Sequence, residues 1–441
     1  MKPENVSTKQ ERIAKLARSN PAMALISLNH YLDHEWVRYA YECTRKDGAV
    51  GVDGQTAEEY AANLEQNLLS LIDRLKSGRY KAPPVRRHYI PKSDGSGERG
   101  LGIPCFEDKI AQRAIVMLLE PIYEHDFQEC SFGFRPGRNA HQALQAVWKG
   151  IMGQGCRWVL DVDVRKYFAS ISHTKLRELL ARRVMDGVVR RMIDKWLKAG
   201  VLEEGQLYYP EAGTPEGGVI SPLLANVYLH YVLDEWFTQQ VQARLRGPST
   251  LVRYCDDFVA LFAYKDDAER VLAVLGKRLG KYGLQLHPDK TRMVDFRFRD
   301  RAPHEGEAST MATTFDFLGF THVWARSRKG KALVQQHTAK ARLARAIKAI
   351  DQQCRVMRHW PLREQHKRLC QMLRGHYAYY GISGNSKRLG NLHERVRCCW
   401  QKWLSRRSNH SSVTWVAFAR ILAHLPIPRP RIVHRYRYAA S

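Results

Sequence analysis

The residues best suited to chemistry are carboxylates set in apolar surroundings. Asp256 and Asp257 follow Tyr254-Cys255, between the β-type runs 251–253 and 258–262. Neighbouring carboxylates at the tip of an apolar hairpin are costly to bury without a counter-charge. A divalent cation would supply it; plain turn chemistry, in which Asp is at home, is the competing explanation. A second acidic strand tips the balance. Trp158-Val159-Leu160-Asp161-Val162-Asp163-Val164 sets Asp161 and Asp163 two apart, on one face of a strand. Two separate, strand-borne carboxylate clusters are what two-metal phosphoryl transfer needs. Hard oxygen ligands hold both ions; one activates an attacking hydroxyl and the other stabilises the leaving group. No nucleophilic side chain is required, and no motif marks one.

The elements that must position these acids alternate. Residues 1–80 read as mostly helical, with breaks at Asp47-Gly48 and Asp53-Gly54. Ala82-Pro83-Pro84 opens an extended stretch, and residues 91–97 form a turn between two strands. Residues 107–124 are helical, 158–164 a short strand and 173–198 helices. A Gly/Pro loop at 213–218 leads into an apolar segment, 219–237, expected to be a buried helix. Residues 251–262 read as strand, tight turn and strand, and 266–282 as a further helix. Strands mixed with helices and two antiparallel hairpins predict an α+β palm rather than a doubly wound sheet.

Taken together, D-x-x-x-x-F (Asp163 to Phe168) followed by Y-x-D-D resembles the palm of a reverse transcriptase. The flanking text is similar to the group II intron-encoded reverse transcriptase/maturase family over nearly the whole chain. The matching stretches are Gly51-Val52-Asp53-Gly54, Ile90-Pro91-Lys92 with Arg99-Gly100-Leu101-Gly102-Ile103-Pro104, Ser131-Phe132-Gly133-Phe134-Arg135-Pro136-Gly137-Arg138, the run from Gly217-Gly218 through Ser221-Pro222-Leu223 to Asn226, and Phe317-Leu318-Gly319-Phe320. The resemblance implies a right-hand polymerase: an N-terminal helical extension and the start of the fingers (1–80), fingers and palm (81–327), an all-α thumb or maturase domain (328–415) and a basic tail (416–441). It implies RNA-directed DNA polymerase activity with two Mg²⁺ ions. Asp163, Asp256 and Asp257, with the Val164 carbonyl, would hold them, and Asp161 would be a structural acid. Phe168 matches an aromatic gate that excludes the ribose 2′-hydroxyl, with a plain core Phe as the alternative. Lys92 and Arg99 match triphosphate-gripping residues, a point charge and a fork. Arg135 is a further candidate for the nucleotide or template groove, and Lys290 could protonate pyrophosphate or be a surface lysine. The chain departs from the family pattern at Glu216, where Gln is usual, at Ala169, where an acid is common, and at Cys255, where Ala is usual.

The C-terminal quarter carries most of the charge. The chain has 71 Lys and Arg against 44 Asp and Glu, a net +27, of which residues 331–441 supply +20. Leu343, Ile347, Ile350, Cys354 and Met357 are spaced 4, 3, 4 and 3, an amphipathic helix seam. Lys340, Arg342, Arg345 and Lys348 decorate that helix, either as a solvated face or as a grip on phosphates; the charge favours the second. Further on, Arg374, Lys387 and Arg388, expected to contact RNA, accompany Tyr377, Tyr380, Trp400 and Trp403. Those aromatics either stack on unpaired bases or form a helix-bundle core, and their spacing of three suits a core.

Composition bounds the rest. Forty-four per cent hydrophobic residues and ten Trp exclude a disordered chain. Nine cysteines without C-x-x-C argue against a disulfide framework and a zinc ribbon, and fit a cytoplasmic protein. Residues 1–20 lack an apolar signal segment, and no run predicts a membrane span. Many members of the family continue into an HNH-type endonuclease with paired C-x-x-C ligands; lacking that pattern, the chain is not expected to cut a second DNA strand by itself. The expected partners are the parent group II intron RNA, an RNA template with a DNA primer, dNTPs and a DNA target, with roles in splicing and mobility. Two other functions fit the sequence: an RNA-binding splicing scaffold with dispensable polymerase activity, and a free-standing, host-domesticated reverse transcriptase in repair or defence.

Overall fold

The computed structural model describes residues 3–91, 97–209, 211–214, 216–298, 314–327, 329–408 and 412–436. Four helices come first: α1 (Glu4–Ser19), α2 (His34–Glu42), α3 (Ala57–Ala61) and α4 (Leu64–Ser77). Asp33 caps α2 and a reciprocal Thr56/Glu59 box opens α3, so donors that a helix start leaves unpaired are met locally. There follow β1 (Val85–Pro91), β2 (Glu98–Ile103), α5 (Phe106–Asp126), α6 (Ala140–Met152), β3 (Trp158–Val162), α7 (Tyr167–Ser170), α8 (His173–Ala181), α9 (Gly187–Leu197), β4 (Val201–Glu203) and β5 (Gln206–Tyr208). Then come α10 (Ser221–Leu229), β6 (Ser249–Tyr254), β7 (Asp257–Phe262), α11 (Lys265–Gly280) and β8 (Arg292–Asp295). The chain closes with β9 (Phe315–Phe317), β10 (Phe320–Arg326), β11 (Ala332–Thr338), α12 (Lys340–Val356), α13 (Leu362–Tyr380), α14 (Ser386–Ser405) and α15 (Trp415–His424).

Two compact units share these elements: Met1–Ala143 with Leu160–Arg292, and Leu144–Val159 with Met293–Ser441. In the first unit one sheet has the order β2-β1-β4-β5, with β1 and β2 antiparallel and β1 and β4 parallel. A second sheet places β7 between β6 and β3. All residues of β7 after Asp257 are buried, as a central strand covered on both faces requires. α10 is apolar nearly all round and buried to match, and most of α5 is buried as well. Beyond α10 the helix widens into π-turns at His230–Asp234 and Phe237–Val241. Asp234 sits in the first of these, wholly buried.

In the second unit β9, β10 and β11 form an antiparallel sheet of order β11-β10-β9. At the expected boundary of 327/328 the flanking strands pair: Arg326 faces Ala332, and Ser327 N–H donates to Lys331 O at 2.8 Å. Ser, Lys and Gly suit a tight turn as well as a linker, so a strand precedes the expected helices. The helices then build one core. Leu343, Ile350, Cys354 and Met357 of the predicted seam join Leu369, Leu373, Val396 and Phe418. Tyr377 and Trp400 belong to that core, which settles the aromatic question for those two in favour of packing. Among the described residues no helix is long and apolar enough to cross a membrane.

Candidate active site

Past the end of β3 the chain stays extended against residues 285–287. His287 N–H donates to Asp163 O at 2.8 Å, and Arg165 N–H donates to Gln285 O at 2.9 Å. Backbone groups alternate along an extended chain, so these bonds turn the Val164 carbonyl toward the opposite edge. Asp256 stands in the two-residue turn between β6 and β7, whose last paired residues are Tyr254 and Asp257. Because β7 neighbours β3, Asp163 and Asp256 meet in the wall of one cleft of about 750 Å³. Val164, Arg99, Glu216 and Lys290 also line it.

Burial pushes the Asp256 carboxyl up; Arg99 pulls it down, and Asp163 adds a further push upward. Asp163 is 40% exposed, with Lys290 Nζ 3.4 Å from its Oδ2. Two hard carboxylates and a carbonyl edge suit Mg²⁺. Among the described residues no group of three or more His, Cys, Asp or Glu could hold a metal, so water or a ligand's oxygens would complete any such shell. Asp257 is exposed at the head of β7 and does not line the cleft. Asp161 is held by Arg292, whose Nε lies 3.0 Å from its Oδ2.

What holds Asp256 in place was not read from the sequence. Arg253, two residues from the turn, is completely buried and uses all five of its N–H groups. Nε donates to Asp234 Oδ1 at 2.7 Å and Nη2 to Asp234 Oδ2 at 2.5 Å. Nη2 also donates to Ser131 Oγ, and Nη1 to Asn226 Oδ1 and to Cys255 O, at 2.8, 2.8 and 2.9 Å. Desolvation works against the Arg253 charge, and the Asp234 carboxylate outweighs it, holding the guanidinium above its ordinary value. The bond to Cys255 O pins a residue at φ +61°, a left-handed conformation that costs a side-chain-bearing residue energy. Gly133 closes the arrangement from the other side: a Cβ there would fall 2.4 Å from Cys255 N. Asn226 Nδ2 donates to Gly133 O at 2.7 Å, so the Ser-Phe-Gly-Phe motif and the α10 motif are both backing for the turn. One signal was available: an Arg inside an apolar strand must have a buried partner.

The remaining predicted residues fall in different places. Arg99 reaches into the cleft and donates through Nε to Glu216, with its guanidinium carbon 5.9 Å from the Phe168 ring centroid. Phe168 itself is buried, while its neighbours Tyr167 and Ala169 line the cleft. Lys92 lies outside the described residues. Arg135, expected in the groove, turns inward instead. Its side chain is 4% exposed, is paired with Glu124, and donates to the carbonyls of Gln128 and Ser131 at 2.9 Å each. The charge of that motif therefore goes into fixing its own loop. In the second unit Lys340, Arg342, Lys348, Arg374, Lys387 and Arg388 are exposed and Arg345 is half-buried.

Comparison with known proteins agrees with this geometry. Residues 90–322 match the family described as reverse transcriptase (RNA-dependent DNA polymerase). Protein YkfC of Escherichia coli is 34% identical over 368 residues, covering 75% of this chain and 91% of YkfC. The group II intron-encoded protein LtrA of Lactococcus lactis is 39% identical over 233 residues, 52% of this chain and 38% of LtrA. The mitochondrial nuclear intron maturase 2 of Arabidopsis thaliana is 31% identical over 175 residues, 31% of this chain and 24% of the maturase. The chain thus matches YkfC over nearly all of its length, but LtrA and the plant maturase over well under half of theirs. It belongs to the reverse transcriptase (RNA-dependent DNA polymerase) family, in its group II intron-encoded reverse transcriptase/maturase branch.

Proposed function

We propose that the chain copies RNA into DNA, extending a DNA primer with dNTPs in the cleft that holds Asp163 and Asp256. The convergence of those two carboxylates from separate strands is the observation that carries this reading. Asp163, Asp256 and the Val164 carbonyl would hold two Mg²⁺ ions, with Asp257 beside them. Bound there, the ions would lower the pKa of the primer 3′-hydroxyl and neutralise charge on the departing pyrophosphate. Arg99, with Lys92, grips the triphosphate through charge-assisted hydrogen bonds. Phe168 excludes a 2′-hydroxyl, and Lys290 gives a proton to pyrophosphate. The Arg253 network keeps the Asp256 turn rigid, so no reorganisation is required when nucleotide arrives.

The second unit's exposed cations bind the parent group II intron RNA, and through it the protein assists splicing and mobility at a DNA target. The +20 charge of residues 331–441 and the intron-encoded relatives support this part. RNA-templated primer extension with dNTPs and Mg²⁺ tests the first part; failure of the wild type to make DNA overturns it. Splicing of the intron RNA at limiting Mg²⁺, with and without protein, tests the second; an unchanged rate overturns it.

A further inference from the structure

Glu216 lines the cleft from the loop ahead of α10, and its carboxylate accepts a hydrogen bond from Arg99 Nε. The main chain, not this ion pair, keeps the loop there. Gly102 N–H donates to Glu216 O at 2.5 Å. The next residue, Gly217, has φ +112° and approaches Gly102 so closely that a Cβ would lie 2.7 Å from the Gly102 carbonyl oxygen. The side chains of Glu216 and Arg99 are 23% and 47% exposed, so the pair is partly hydrated and open to an anion from the cleft. Glu216 therefore contributes little to holding the loop and much to the charge that a polyphosphate meets.

We propose that Glu216 is the counter-ion that a nucleotide's triphosphate must displace from Arg99, and that it thereby sets the cleft's affinity for nucleoside triphosphates. It acts through Arg99 and is a positioning residue. The identity of the nucleotide rests on the polymerase reading above; the exchange itself requires only a polyphosphate. In the bound state the Glu216 carboxylate is left facing an anion of the same sign. E216Q removes that charge while its amide oxygen can still accept from Arg99, so orientation is kept and repulsion is lost. For charges a few ångströms apart in a partly hydrated cleft, the gain in affinity is roughly three- to ten-fold. Salt should shrink it, because the pair is exposed.

The test is calorimetric titration of inorganic tripolyphosphate with Mg²⁺ into the full chain, comparing wild type, E216Q and E216A. Both variants should bind more tightly than wild type by roughly three- to ten-fold at low salt, with the difference narrowing as salt is raised. In primer extension the change should fall on the dNTP KM rather than on kcat. Equal or weaker tripolyphosphate binding by both variants overturns the exchange. A wild type that binds tripolyphosphate, tightens on E216Q and yet makes no DNA would uphold the exchange and remove the polymerase reading.

Discussion

Asp234→Ala should be among the most damaging single changes outside the acids of the cleft. Asp234 and Arg253 are both 0% exposed, joined by two hydrogen bonds of 2.7 and 2.5 Å. At an effective dielectric of about 20 and a charge separation of about 4 Å, their attraction is about 4 kcal/mol. Removing one partner also leaves a buried charge uncompensated, and such losses run to about 3–5 kcal/mol. The same change frees the Arg253 side chain that pins Cys255 O, so the Asp256 turn loses its backing. Urea denaturation followed by Trp fluorescence should show the destabilisation. Nucleotide incorporation, measured at a temperature where the variant is still folded, should fall on the order of a hundredfold, as expected for a displaced reacting group. Asp234→Asn, which keeps one acceptor, should lie between. A loss below about 1 kcal/mol, the range of an exposed pair, would refute the reasoning, and so would a folded Asp234→Ala with a full incorporation rate.

Phe168→Ala should weaken discrimination against rNTPs by about tenfold or more in competing single-nucleotide incorporations; unchanged sugar selection would remove the gate. Burial pushes the Asp108 carboxyl up to about 7, and Trp196 Nε1 donates to it at 3.1 Å. A raised carboxyl favours the fold while protonated, so its contribution is whole below about pH 4 and is lost as pH rises to about 7. Relative to Asp108→Asn, the wild type should therefore lose roughly 2–3 kcal/mol between pH 5 and 7 in urea titrations; parallel pH curves would contradict this. If Lys340, Arg342, Arg345, Lys348, Arg374, Lys387 and Arg388 each meet a phosphate, log affinity for intron RNA should fall against log salt with a slope of about −5. A flat response would remove the basic-surface argument.

The acids were legible in the sequence because a carboxylate in an apolar strand has few explanations, and its spacing survives folding. The hairpin bearing Asp256 and the strand before Asp163 were legible for the same local reason. Arg253 obeys the same rule and could have been flagged, but its partner could not. Asp234 reaches it from a π-turn beyond α10, and no local pattern predicts which buried acid meets which buried base. Arg135 shows the opposite failure: a charged residue in a Gly-rich motif looks available, and only the fold brings Glu124 from α5 to consume it. The aromatics of the second unit followed their spacing, with Tyr377 and Trp400 in the core and Trp403 at its edge, where Nε1 donates to Asp351 at 2.9 Å.

The most direct measurement of the central claim is primer extension on an RNA template with dNTPs and Mg²⁺, comparing wild type with Asp256→Ala, alongside RNA binding by each. DNA synthesis by the wild type alone, with RNA binding within a few-fold in both, is the predicted result. Equal synthesis by the variant would contradict it. No synthesis by either protein, with RNA still bound tightly, would contradict it as well and leave an RNA-binding splicing scaffold in its place.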